Sequence, residues 1–218
     1  MPAASGKHGK LVAMVAHAAE AAEEGRFFEA EREASQVLQL ARQTNDYDLM
    51  VQAIEPLCAA RMGRLAAAVD IGTVTINDRP ITEDITVPAG AYLIQPPQVG
   101  MDARRLRLAC LTHEVPVLVI CREPITQLKM CPVVLIAPGA TVRTKIEPPD
   151  DIAAPDLPWM LSALAALGDW AISSLDETMP VERRIGALYD RVEAVPEHEG
   201  VHRALQAACR EACSSSAT

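Results

Sequence analysis

The hydrophobic period of this chain changes twice, and that limits its fold more than any single residue does. Between Leu11 and Val69 apolar residues recur every three or four positions. At Gly72 the stretch "GTVTIND" turns to alternation, and from Leu157 the helical spacing returns. Such a chain folds as helices placed before and after one small sheet, a helix-dominated α+β protein. Four segments follow in chain order: a helical unit over 1–70, a central α/β unit over 71–147, a proline-rich linker over 148–156 and a C-terminal helical unit over 157–218.

Within the first segment, "LVAMVAHAAEAAEEG" and "RFFEAEREASQVLQLARQ" meet at Gly25 and read as two antiparallel helices. A third is expected from Tyr47 to Val69, with Met50, Ile54, Leu57, Cys58, Leu65 and Val69 on one stripe. Pro56 is expected to kink or interrupt it. In the second segment, Asn77-Asp78 supplies a turn before a strand at Ala91–Gln95. The helix-like "MDARRLRLACLTHE" then leads into the all-apolar "VPVLVIC", which makes a βαβ unit. "CPVVLIA" and "TVRTKIE" flank Pro138-Gly139 as a hairpin. Pro148, Pro149, Pro155 and Pro158 mark the linker. Three helices close the chain near 157–175, 180–194 and 196–213, with Pro180 and Pro196 expected at first helical positions.

The first two helices resemble one tetratricopeptide repeat, through Gly25, Phe27, Ala30, Ala34, Val37, Leu38 and Leu40. Ala18 and Ala21 depart from that pattern, and a single repeat cannot bury its own faces. The resemblance implies a protein-interaction role. "GTVTINDRPITEDITVPAGAYLI" is similar to the hairpin of small ribosomal-type RNA-binding domains, but the basic helix face they carry is reduced here to Arg61 and Arg64. A plain hairpin is the expected reading.

His198-Glu199-Gly200-Val201-His202 spells HExxH, which resembles the zinc metalloprotease motif. On a helix, two histidines four residues apart can hold one zinc ion while the glutamate activates its water. The metzincin continuation is missing, since Leu205 and Ala208 stand in its place, and a third ligand would have to come from upstream, with Asp190, Glu193 and His113 among the candidates. At helical spacing the two histidines also share a face with Val201, Leu205, Ala208, Cys209, Ala212 and Cys213. The expected reading is therefore an ordinary amphipathic helix. A zinc-dependent hydrolase with Glu199 as base and His198 and His202 as ligands is the alternative, and zinc would then be its cofactor.

Two further candidates lie in the central segment. Arg104 and Arg105, behind "QPPQVGMD", could hold an anion at a helix N-terminus. Asp102 competes there, so a capped helix with Arg104, Arg105 and Arg107 in solvent is expected. Cys121 beside Arg122 could be a reactive thiol, but no histidine partner can be identified.

Net charge is −9, and residues 151–218 hold 5 basic against 11 acidic groups. Nucleic acid is therefore a poor partner, and a basic protein a better one. Seven aromatic residues argue against a stacking platform. Six cysteines in periodic segments read as reduced thiols in the cytoplasm. The apolar run after Lys10 spans six residues, too short for an export signal, and no stretch is long enough to cross a membrane. The chain reads as a non-enzymatic interaction or scaffold protein.

Overall fold

The computed structural model describes residues 3–77, 79–82 and 85–215, apart from the side chains of 3–5 and 7. Among the described residues, α1 (Ala3–Glu23), α2 (Phe27–Thr44) and α3 (Tyr47–Val69) precede β1 (Val74–Asn77) and β2 (Gly90–Ile94). Then come α4 (Gly100–Thr112), β3 (Val117–Arg122), β4 (Cys131–Ile136) and β5 (Thr141–Ile146). The last elements are α5 (Leu157–Ser173), α6 (Val181–Ala194) and α7 (Glu199–Ser215). The helix-dominated α+β class holds, and no described helix is long and apolar enough to cross a membrane.

The five strands form one sheet in the order β1-β2-β3-β4-β5. β2 and β3 run parallel with α4 between them, which is the expected βαβ unit, and β4 and β5 form the expected hairpin, with Ile136 opposite Thr141. The first pairing differs from expectation. β1 and β2 are parallel, with Val74 opposite Ala91, and not a hairpin. The twelve residues 78–89 carry the chain back to the end at which β1 began, a path that a short turn could not supply. The expected Asn77-Asp78 turn lies partly outside the described residues, at Asp78.

The central strands are apolar throughout because both faces of the sheet are covered. Ala91, Leu93, Leu118, Ile120, Val133 and Leu135 face one way and join helices from both ends of the chain. Met50 and Leu57 of α3, Leu167 of α5, and Val201 and Leu205 of α7 enter the same apolar cluster. Tyr92, Ile94, Val117, Val119, Cys121 and Val134 face the other way, onto Ala103, Leu106 and Cys110 of α4. The molecule is thus layered, with α4 on one side of the sheet and the remaining helices on the other.

Local chemistry sets the helix ends. Asp46 caps α3, accepting from the Leu49 amide at 3.1 Å, and Asp156 caps α5, accepting from the Trp159 amide at 2.9 Å. α3 runs through Pro56 without interruption. Pro56 is buried, and one turn before it Gln206 Nε2 of α7 donates to the Val51 carbonyl at 3.2 Å. The proline-rich segment has no regular structure, yet it is held down: Arg122 donates to the Ile152 carbonyl at 2.8 Å and Trp159 Nε1 to the Glu147 carbonyl at 2.9 Å.

Candidate functional site: a buried ionic cluster beneath a trough

α7 begins at Glu199, not at Pro196, because residues 195–197 make a turn. His198 therefore precedes the helix and does not occupy its first turn. Its ring lies on α5, where a Cβ at Gly168 would come within 2.1 Å of His198 Cγ, so glycine is required at that crossing. His198 Nε2 is 3.9 Å from Asp169, and burial lowers the ring's pKa.

His202 is fully buried on the inward face of α7, beside Val201 and Leu205. Its Nδ1 lies 3.1 Å from the His198 carbonyl and its Nε2 lies 3.4 Å from Arg61 Nη1. A carbonyl can only accept and a guanidinium can only donate, so the ring is the neutral Nδ1–H tautomer. Burial, and next the charge of Arg61, push its pKa down to about 3. The nitrogen that a zinc ion would take thus faces a cation. Among the described residues, neither histidine belongs to a group of three His, Cys, Asp or Glu side chains with ligand atoms within 4.8 Å of one another. Glu199 lies at the surface, paired with Arg203. Of the proposed third ligands, Asp190 pairs with Arg42, His113 ends α4, and Glu193 is held by Arg61.

Arg61 is the hub. From α3 it donates to Glu31 Oε1 at 2.8 Å, to the Val192 carbonyl at 3.1 Å and to Glu193 Oε1 at 2.9 Å. Arg64, one turn on, meets Glu31 Oε2 at 2.6 Å and stands over the Phe28 ring, with Glu197 at 4.0 Å. Arg107 was expected in solvent, but it points inward and donates to the carbonyls of Ala194 at 3.1 Å and Glu193 at 3.0 Å. Arg61 and Arg107 therefore satisfy the last carbonyls of α6, where the helix dipole is negative. Three arginines balance Glu31, Glu193 and Glu197. Burial works against the Glu193 carboxylate, yet the charge and hydrogen bond of Arg61 hold its pKa below the usual range. Burial likewise opposes Arg61, and Glu193 and Glu31 push its pKa up.

Above this cluster lies a trough of about 650 Å³ between α2, the end of α4 and α6. Glu31, Arg61 and Glu193 are among its lining residues, with Phe28, Gln36 and Tyr189. A second hollow of about 500 Å³ continues it past Gln39 and Gln43 to Pro138, and shares Gln39, Tyr189 and Glu193. Arg42 stacks on Tyr189 at 4.0 Å along the way.

The central-segment candidates behave as ordinary structure. Asp102 accepts from the Val99 amide at 2.9 Å at the start of α4, and Arg105 pairs with Asp102 at 2.7 Å, while Arg104 is half-buried. Cys121 is buried, its thiol pushed up to about 12 by desolvation, and it donates to the Arg122 carbonyl at 3.6 Å. All six cysteines are free. A thiol reagent on the native protein is expected to label half-buried Cys58 and Cys213 first, and Cys110, Cys121, Cys131 and Cys209 only after denaturant. Rapid labelling of Cys121 would contradict its burial.

Sequence reasoning missed Arg61, Arg64, Arg107, Glu31 and Glu197 as one cluster. The signal was there: Glu31 follows Ala30 and precedes Ala34, Val37 and Leu38 on the buried side of α2, and both α3 arginines sit in an alanine-rich face. No family model, no curated protein and no solved structure matches the chain.

Proposed function

We propose that this protein is a non-enzymatic interaction or scaffold protein that takes an extended segment of a partner protein into the trough between α2 and α6. The trough's length carries this reading. Its lining residues on α2 run from Phe28 to Gln43, and fifteen residue steps of helix span roughly 22 Å, room for about six or seven residues of extended chain. Gln36, Gln39 and Gln43 are exposed along it and offer amide groups suited to a peptide backbone. The acidic lining residues Glu31, Glu114, Asp190 and Glu193 outnumber Arg32, Arg42 and Arg61. With a net charge of −9, that balance supports a basic protein segment over nucleic acid. Free thiols support a reducing compartment, and we place the protein in the cytoplasm.

A photo-crosslinking residue at Gln36 or Gln39, with one at exposed Gln127 as control, tests this in cells. The expected result is a crosslink to one partner from both trough positions and not from Gln127, mapped to a lysine- or arginine-rich segment. Equal crosslinking from all three positions, or none from the trough, would overturn the proposal.

A further inference from the structure

A second cluster of metal-ligating side chains lies apart from the trough, where α1 crosses α2. Their contact is made by alanines: Ala18 and Ala21 of α1 and Ala30 and Ala34 of α2 are fully buried. Small residues let the two backbones approach, which brings longer side chains flanking the seam within reach of one another. His17 Nδ1 on α1 meets Glu33 Oε2 on α2 at 2.7 Å, and the other ring nitrogen, Nε2, stands 4.0 Å from Oε1 of Glu29, four residues before Glu33 and on the same helical face. One ligand atom from each of the three lies within 4.8 Å of the other two. In a tetrahedral site with bonds of about 2.0–2.2 Å, ligand atoms stand roughly 3.3–3.6 Å apart, so modest side-chain rotations bring one nitrogen and two oxygens to that spacing.

We propose that His17, Glu29 and Glu33 bind a divalent cation of the zinc type, one imidazole nitrogen and one oxygen from each carboxylate joining α1 to α2, with the fourth position left to water. The ligand set selects the ion. An imidazole nitrogen suits zinc and is a poor ligand for magnesium or calcium, which prefer oxygen alone. The carboxylates that would neutralise a dication also favour the proton as its competitor, since the hydrogen bond and charge of Glu33 raise the His17 pKa. Arg26 is the local competitor, because its guanidinium pairs with Glu29 and with Glu24. A bound cation takes Glu29 from Arg26 and displaces the proton shared by His17 and Glu33.

Titration calorimetry with zinc chloride at neutral pH, repeated with magnesium and calcium chloride, tests the site on the full chain. Loss of an outer-sphere partner alone costs roughly 10–100-fold in metal affinity, so His17→Ala and Glu33→Gln should each weaken zinc binding at least about tenfold. Arg26→Gln should strengthen it. None of the three side chains is buried in the core, so the substitutions should leave the circular dichroism spectrum unchanged. Cobalt(II) in place of zinc should give a spectrum without a thiolate charge-transfer band. Absence of zinc binding, equal binding by wild type and His17→Ala, no gain from Arg26→Gln, or a thiolate band that assigns the metal to cysteine would each overturn the proposal.

Discussion

Replacing Arg61 by methionine is expected to cost about 3–5 kcal/mol of folding stability, the usual penalty for removing one partner of a buried ion pair. The side chain is 4% exposed and has four partners on three other helices. Methionine keeps much of the volume, so the loss is electrostatic. Glu31 keeps Arg64, but Glu193, the Val192 carbonyl and His202 Nε2 all lose their donor. For a chain of this size the change corresponds to a fall in melting temperature of roughly 6–20 °C. Arg61→Lys should also destabilise, because one ammonium cannot present the guanidinium fork to all four acceptors. Adding Glu193→Gln to Arg61→Met should recover part of the loss, since the carboxylate left without its cation is then neutral, whereas Glu31 still pairs with Arg64. A loss below about 1 kcal/mol for Arg61→Met would show that the cluster is open to water.

Acid should destabilise the protein well before its carboxylates are all protonated. His202 has a folded pKa of about 3 against an ordinary value of 6.5. Its contribution is fully present above pH 6.5 and shrinks as pH falls from there toward 3, because the unfolded chain takes up a proton that the folded chain refuses. The slope is about 1.4 kcal/mol per pH unit while that single proton is in play. Over the whole window it approaches roughly 4–5 kcal/mol. His198, also lowered by burial, acts in the same direction. Denaturant melts at steps from neutral pH down to about pH 5 check this, and His202→Gln should flatten the profile over that range. An unchanged profile in the variant would mean that the ring titrates freely in the native state.

The features of the fold legible in sequence were those set by burial pattern. α3 begins at Tyr47 and ends at Val69 as its stripe indicates, and the uninterrupted apolar run of β3 marks a strand covered on both faces. What depends on the path of the chain was less legible. Alternation in "GTVTIND" identifies β1, but nothing in a period of two says whether its neighbour runs parallel, and the length of the 78–89 connection decides it. The ionic cluster was hidden for another reason. Arg61, Glu31 and Glu193 come from α3, α2 and α6, and although helical spacing puts Glu31 and Arg61 on apolar faces, only the packing of α6 against them shows that the charges meet. The same applies to Arg107, whose helix places it beside Arg105 in sequence but turns it toward the end of α6. His202 was assigned to the inward face of its helix by spacing alone. Its partner Arg61, 141 residues away, is a tertiary fact.

The protonation of His202 separates a structural use of the HExxH pentapeptide from a catalytic one. Nitrogen NMR of the labelled imidazoles observes it directly. The expected spectrum shows His202 as the Nδ1–H tautomer with Nε2 unprotonated, unchanged as pH falls from neutral to about 5. It should also be unchanged when zinc is added at a concentration that shifts His17. A His202 Nε2 that coordinates zinc, or a ring that becomes imidazolium within that range, would contradict the buried network and return Glu199 and the two histidines to consideration as a metal centre.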